Sequence, residues 1–182
     1  DMGTEGDLND DYWAWDYQYD ALGNLLTQTD ARGCVTTLQY DSLNRPTDKT
    51  YSNCPYTVAP TPNVHYYYDG QSFTFDSVNY GGSPYSIGQR TGVVVNGSNA
   101  TVWTYDVRGR LASETTDFAG ANNFTTQFTY NRADMLRTMT YPDGETVTYD
   151  YNNLMQLINV AGAETYAGSF AYDSANRLKA LT

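Results

Sequence analysis

The sequence predicts an all-β fold: a meandering antiparallel strip of β-hairpins built from a short repeat. Three observations predict it. A phrase of the form Tyr-Asp, two variable positions, Gly or Asn, one more residue and Leu recurs along the 182 residues. Its leading tyrosines, Tyr19, Tyr40, Tyr105, Tyr130, Tyr151 and Tyr172, are spaced 21, 65, 25, 21 and 21 residues apart, and a fixed period in this range marks a repeat architecture. The composition is rich in Tyr, Thr, Val, Gly and Asn, residues that suit pleated strands and tight turns.

Residues 1–11, "DMGTEGDLNDD", read as an acidic N-terminal segment, with residues 12–182 forming the repeat domain. The opening shows no initiator Met and no signal-peptide pattern, which reads as a mature or excised piece. The first strand is "YWAWDYQY", in which Trp13, Trp15, Tyr17 and Tyr19 alternate and therefore share one face. Such a ladder reads as core; its alternative is a carbohydrate-stacking platform of Trp13, Trp15 and Tyr17.

Each phrase then reads as a hairpin turn. With the tyrosine at position zero, position +4 is Gly23, Asn44, Gly109, Asp134, Met155 and Asn176. All but Met155 tolerate a left-handed backbone, so a different turn or strain is expected there. Position +1 is Asp20, Asp41, Asp106, Asn131, Asn152 and Asp173, whose side chains can bond the backbone two residues on. Together these describe a three-residue hairpin loop ending in a bulge. In that register the tyrosine faces the residue at +6, mostly Leu, and Asp at +1 faces Arg at +5. "YPDGE" and "VNGSN" supply turns of a second class between the phrases. About fourteen short strands in one sheet are expected.

The 65-residue gap contains a further start at Tyr68, interrupted by an insertion at about residues 69–92 whose Gly-Gly and Pro read as an irregular extra hairpin. Cys34 and Cys54 occupy nearly equivalent places in consecutive repeats, which invites a disulfide. Two strands of separation would hold them roughly 9–10 Å apart, beyond bridging reach, unless the "SNCPY" loop closes the gap, so the pairing stays open.

Little here points to catalysis or to a cofactor. His65 is the sole histidine, so any Ser–His or Cys–His mechanism must use it. Most Asp residues are committed to turns, and the N-terminal acidic stretch lacks the spaced Gly and terminal Glu of a calcium loop. Asn96, Asn99 and Asn123 each begin a glycosylation sequon, read here as turn and strand residues. The formal net charge of −11 argues against nucleic-acid binding, and no apolar run is long enough for a membrane span.

These phrases, carried by Tyr19, Asp20, Gly23, Tyr40, Asp41, Asn44, Tyr105, Asp106, Gly109, Tyr172, Asp173 and Asn176, resemble the YD repeats, or Rhs repeats. The resemblance covers residues 17 to 182. It implies a spiralling hairpin strip, as in bacterial Rhs proteins, the shell of insecticidal Tc toxins and the barrel of teneurins. It also implies a structural, non-catalytic role outside the cell or at its surface: a shell, a stalk, or a filament made by head-to-tail strand pairing. The expected partners are a second copy, further repeats of the same protein, or carbohydrate. The cleavage motif that usually ends an Rhs core is absent, and closing a shell takes several times more repeats.

Overall fold

The computed structural model describes residues 15–55 and 60–181. They form seventeen strands and, among the described residues, no helix. In order these are β1 (Asp16–Tyr19), β2 (Leu25–Thr29), β3 (Val35–Tyr40), β4 (Pro46–Ser52), β5 (Val64–Tyr68), β6 (Phe73–Phe75), β7 (Val78–Tyr80), β8 (Arg90–Val95) and β9 (Asn99–Tyr105). They continue as β10 (Leu111–Phe118), β11 (Phe124–Tyr130), β12 (Leu136–Thr140), β13 (Thr146–Tyr151), β14 (Leu157–Ala161), β15 (Thr165–Ala167), β16 (Phe170–Tyr172) and β17 (Leu178–Leu181).

The repeat phrase sets the strand boundaries. Each phrase tyrosine is the last residue of a strand, and the +6 residue opens the next. Across the turn the two are direct partners: Tyr19 with Leu25, Tyr40 with Pro46, Tyr105 with Leu111, Tyr130 with Leu136, Tyr151 with Leu157 and Tyr172 with Leu178. A bulge sits beside every one of these pairs, as a three-residue hairpin loop requires.

Thirteen strands make one antiparallel sheet in the order β1-β2-β3-β4-β5-β8-β9-β10-β11-β12-β13-β14-β15. The expected single sheet of about fourteen strands is thus corrected. β6–β7 and β16–β17 are separate two-stranded ladders. The last hairpin lies outside the main ladder, but it stays attached through the Tyr172 hydroxyl, which donates to the Leu157 carbonyl at 2.9 Å.

A one-layer strip buries little, and most of its strand side chains are half-buried. The exception lies under the insertion. Its hairpin β6–β7 folds back over the middle of the sheet, setting Phe73 and Phe75 against Val94, Ala100 and Val102, with Tyr67 and Tyr80 packed alongside. Burial of each phenylalanine contributes about 1.5–3 kcal/mol. The fit depends on Gly92, since a Cβ there would lie 2.4 Å from the Phe73 ring. Tyr67 stacks on that ring from 4.1 Å. The insertion is therefore an ordered cover, and the strip's densest core forms beneath it.

Candidate functional site

The candidate site is the column of Tyr-Asp turns along one border of the strip. Within each turn the +1 backbone N–H donates to the +5 carbonyl, and the +4 N–H donates to the +1 carbonyl. The +1 side-chain oxygen accepts from the N–H groups of +3 and +5: for Asp20 these are Leu22 at 2.9 Å and Asn24 at 2.8 Å. Asp41, Asp106, Asn131, Asn152 and Asp173 repeat the pattern. These hydrogen bonds hold the aspartates below the ordinary carboxylate value. The side chain of the +5 residue leads in Asp20 and Asp106, its backbone in Asp41 and Asp173.

Position +4 is left-handed throughout, from φ 60° at Asn44 to 88° at Gly23. Of the two outcomes expected at Met155, the different turn does not occur: it occupies the same turn at φ 63°, a strained region for a non-glycine residue, held there by the Asn152 side chain. An unbranched side chain can be forced into this region at modest cost, whereas a β-branched one resists it. The turn chemistry also survives the insertion. Asp69 N–H donates to the Gln89 carbonyl and the residue before it, Gly88, is left-handed at φ 81°, so Gly88 and Gln89 take the places of +4 and +5, with Gly88 N–H bonding the Asp69 carboxylate instead of its carbonyl. Arg90, in the place of +6, pairs with Tyr68.

Five of the six steps from turn to turn are also joined, a feature the sequence reading missed; between the Tyr130 and Tyr151 turns no such link is seen among the described residues. The hydroxyls of Tyr40, Tyr68, Tyr105, Tyr130 and Tyr172 donate to the carbonyls of Leu25, Pro46, Arg90, Leu111 and Leu157, at 2.7–2.9 Å. Each acceptor is the +6 residue of the preceding phrase or its stand-in. The +5 side chain reaches forward as well. Arg45 binds Asp41 in its own turn and Asp69 in the next, both at 2.7 Å, with its guanidinium 4.3 Å from the Tyr68 ring. Arg110 does likewise with Asp106 and Asp134, both at 2.6 Å, over the Tyr130 ring. Asn24 donates to Asn44, and Gln156 to Asn176. Arg177 binds Asp173 alone among the described residues. The recurrence of Arg, Asn or Gln at +5 was the available signal, read only as a partner within its own turn.

The other predicted residues fall as follows. Trp13 lies outside the described residues, as does the acidic segment 1–11. Trp15 and Tyr17 are exposed by 53% and 46% on the border strand, their rings stacked 6.3 Å apart. Cys34 and Cys54 are joined by a disulfide. The premise of two strands of separation is corrected, because β3 and β4 are neighbours: Val35 pairs with Ser52, and the start of the "SNCPY" loop closes the gap, with Asn53 at φ 56° just before Cys54. His65 bonds Asp48 at 2.5 Å and packs on Tyr67. The inserted hairpin is tied down by the Tyr80 hydroxyl donating to buried Asp117 at 2.7 Å and by Gly120 N–H donating to Asp76. Burial, then the Asp117 bond, pushes the Tyr80 phenol up to about 12. Among the described residues no group of three or more His, Cys, Asp or Glu side chains could hold a metal ion.

Comparison with known proteins agrees with this geometry. Residues 19–53 match the RHS Repeat family, which shows the resemblance read from the phrases. No curated protein matches the chain. Solved structures do. A crystal structure of TcdB2-TccC3 aligns with a TM-score of 0.70 at 15% identity, over 92% of this chain and 9% of that one. A crystal structure of TcdB2-TccC3-Cdc42 gives 0.68 at 16%, again over 92% and 9%. The Photorhabdus luminescens Tc holotoxin pore, carrying a TccC3 variant, gives 0.68 at 16% over the same shares. The likeness is one of fold, and this chain spans about a tenth of the length of those chains.

Proposed function

We propose that this chain, a strip of Rhs-type repeats, is wall material: a non-catalytic section of a β-sheet shell that acts outside the cell and is extended at both lateral borders by more strip. The observation that carries the reading is the hydroxyl-to-carbonyl ladder with its forward-reaching +5 side chains, because it fixes the turns to one another at five of six steps. The borders present the unfilled halves of that ladder. Tyr19 is 59% exposed, unlike the buried and half-buried tyrosines of the other phrases, and Tyr17 is exposed where its equivalents Leu38, Tyr66, Trp103, Phe128, Tyr149 and Phe170 are half-buried. At the other border Leu178 and Arg177 are exposed. Bringing the borders together would let the Tyr19 hydroxyl reach the Leu178 carbonyl of a second copy or a further repeat, with Arg177 over the ring. A non-closing contact of this kind makes a filament; a curved one closes into a wall.

The test places charges on the borders. The unaltered chain should assemble with rising concentration, read by light scattering and negative-stain microscopy, and Tyr17→Lys with Leu178→Lys should remain monomeric. A wild-type chain that stays monomeric at every concentration would remove the head-to-tail reading. The exposed Trp15–Tyr17 stack favours a second reading, a carbohydrate platform; its test is glycan-array binding that Trp15→Ala abolishes. The interior equivalents of Tyr17 weigh against it, since they show that this position is ordinarily covered by neighbouring repeats.

A further inference from the structure

We infer that the gap between the Tyr68 and Tyr105 turns is a binding site for a small organic carboxylate that carries a flat ring. This goes beyond the wall reading and holds for a single copy. Two departures from the repeat meet at this step. Position +6 is Leu25, Pro46, Leu111, Leu136, Leu157 or Leu178 in the other phrases, whereas Arg90 takes that place after Tyr68. At three other steps the +5 side chain reaches the +4 side chain of the next turn: Asn24 donates to Asn44, Arg110 to Asp134 and Gln156 to Asn176. Here the +5 stand-in is Gln89 and the next +4 residue is Gly109. The Gln89 Nε2 comes within 3.9 Å of where a Cβ would stand on Gly109, and glycine offers it no acceptor.

The space beside these two residues is a cavity of about 420 Å³, lined by Tyr68, Gln89, Arg90, Trp103, Tyr105 and Leu111. That volume suits a small ligand, and the lining pairs aromatic walls with two polar heads. Charge selects an anion. In a chain of net charge −11, no carboxylate lines this cavity among the described residues, and Arg90 forms no ion pair among them. Its guanidinium stands 5.0 Å from the Trp103 ring centroid, and the Tyr105 hydroxyl, donating to the Arg90 carbonyl at 2.7 Å, fixes the backbone beneath it. Glu114 is committed elsewhere: it accepts from the Trp103 indole Nε1 at 2.8 Å and so holds the ring in place. The repeat itself shows what belongs opposite a +5 donor, since Arg110 meets the Asp134 carboxylate at 2.6 Å. A ligand carboxylate takes that role here, accepting from the Gln89 amide and the Arg90 guanidinium, while its ring lies against Trp103 and Tyr105.

The experiment titrates sodium benzoate into the full chain at micromolar concentration and reads saturation transfer to the benzoate ring by NMR. Benzoate is expected to bind in the millimolar range, and neutral benzamide at least tenfold more weakly. Arg90→Gln should lower benzoate affinity at least tenfold. Gly109→Asp should lower it as much, because it supplies the missing acceptor from the chain itself, at a left-handed position of the kind that Asn44 and Asp134 already occupy. Should Arg90→Gln fail to fold, Gly109→Asp carries the test alone. No transfer from millimolar benzoate, or benzamide binding as tightly as benzoate, would overturn the site. So would an affinity unchanged in Gly109→Asp, or inorganic phosphate binding as tightly as benzoate, which would leave a plain anion contact with no place for a ring.

Discussion

Replacing Tyr130 with Phe removes one oxygen and nothing else. The lost hydroxyl donates to the Leu111 carbonyl at 2.9 Å, in a part-buried setting that joins the β9–β10 turn to the β11–β12 turn. A hydrogen bond of this type contributes about 0.5–1.5 kcal/mol net, and stranding a part-buried carbonyl keeps the cost towards the upper end. The aromatic ring remains, so the Arg110 guanidinium, 4.5 Å from its centroid, keeps most of its contact. The expected loss is therefore about 1 kcal/mol. For a urea dependence of about 2 kcal/mol per molar, the unfolding midpoint falls by about 0.5 M. Tyr19→Phe is the internal control: its hydroxyl has no such acceptor among the described residues, and its midpoint should be unchanged. Urea titration followed by tryptophan fluorescence reads both. Equal effects at Tyr19 and Tyr130, or none at Tyr130, would refute the inter-repeat role of the hydroxyl.

The remaining predictions follow from the same geometry. Gly109, at φ 73°, has open space around it, so Gly109→Val tests backbone conformation alone; it should cost about 1–2 kcal/mol in a denaturant titration. Gly92→Ala drives a methyl into the Phe73 ring and should cost about 1–3 kcal/mol, with limited proteolysis cutting faster between residues 69 and 89. Burial raises the phenol values of Tyr68, Tyr105, Tyr130 and Tyr151 above the roughly 10 of an unfolded chain. Their contribution is thus full below about pH 10 and is lost as pH rises through the raised folded values. The melting temperature should fall as pH rises above about 10, and a flat profile there would contradict this.

Much of the strip was legible because the repeat encodes it locally. Asp or Asn at +1 and a residue tolerant of positive φ at +4 define a turn from six residues, and the turn fixes register for the strands on both sides. What stayed hidden was decided between distant segments. Phe73 and Phe75 gain their meaning only when Gly92 leaves a gap for a ring. Cys34 and Cys54 looked two strands apart because equivalent places in consecutive repeats were taken to imply equivalent strands, whereas one precedes β3 and the other follows β4. Arg45 and Arg110 were assigned to their own turns, and only the stacking of turns shows that each also holds the next. Met155 shows the limit of a propensity argument: five turn hydrogen bonds made or accepted around Asn152 outweigh the preference of one side chain.

The most direct test of the account is electron cryo-microscopy of the assembled protein. The account predicts that residues 15–181 lie within a larger continuous β-sheet, with the Tyr19 hydroxyl bonded to a carbonyl of a preceding strand and the Leu178 carbonyl accepting from a following tyrosine. An assembly in which β1 and β17 both face solvent, with Tyr19 and Leu178 uncovered, would contradict it.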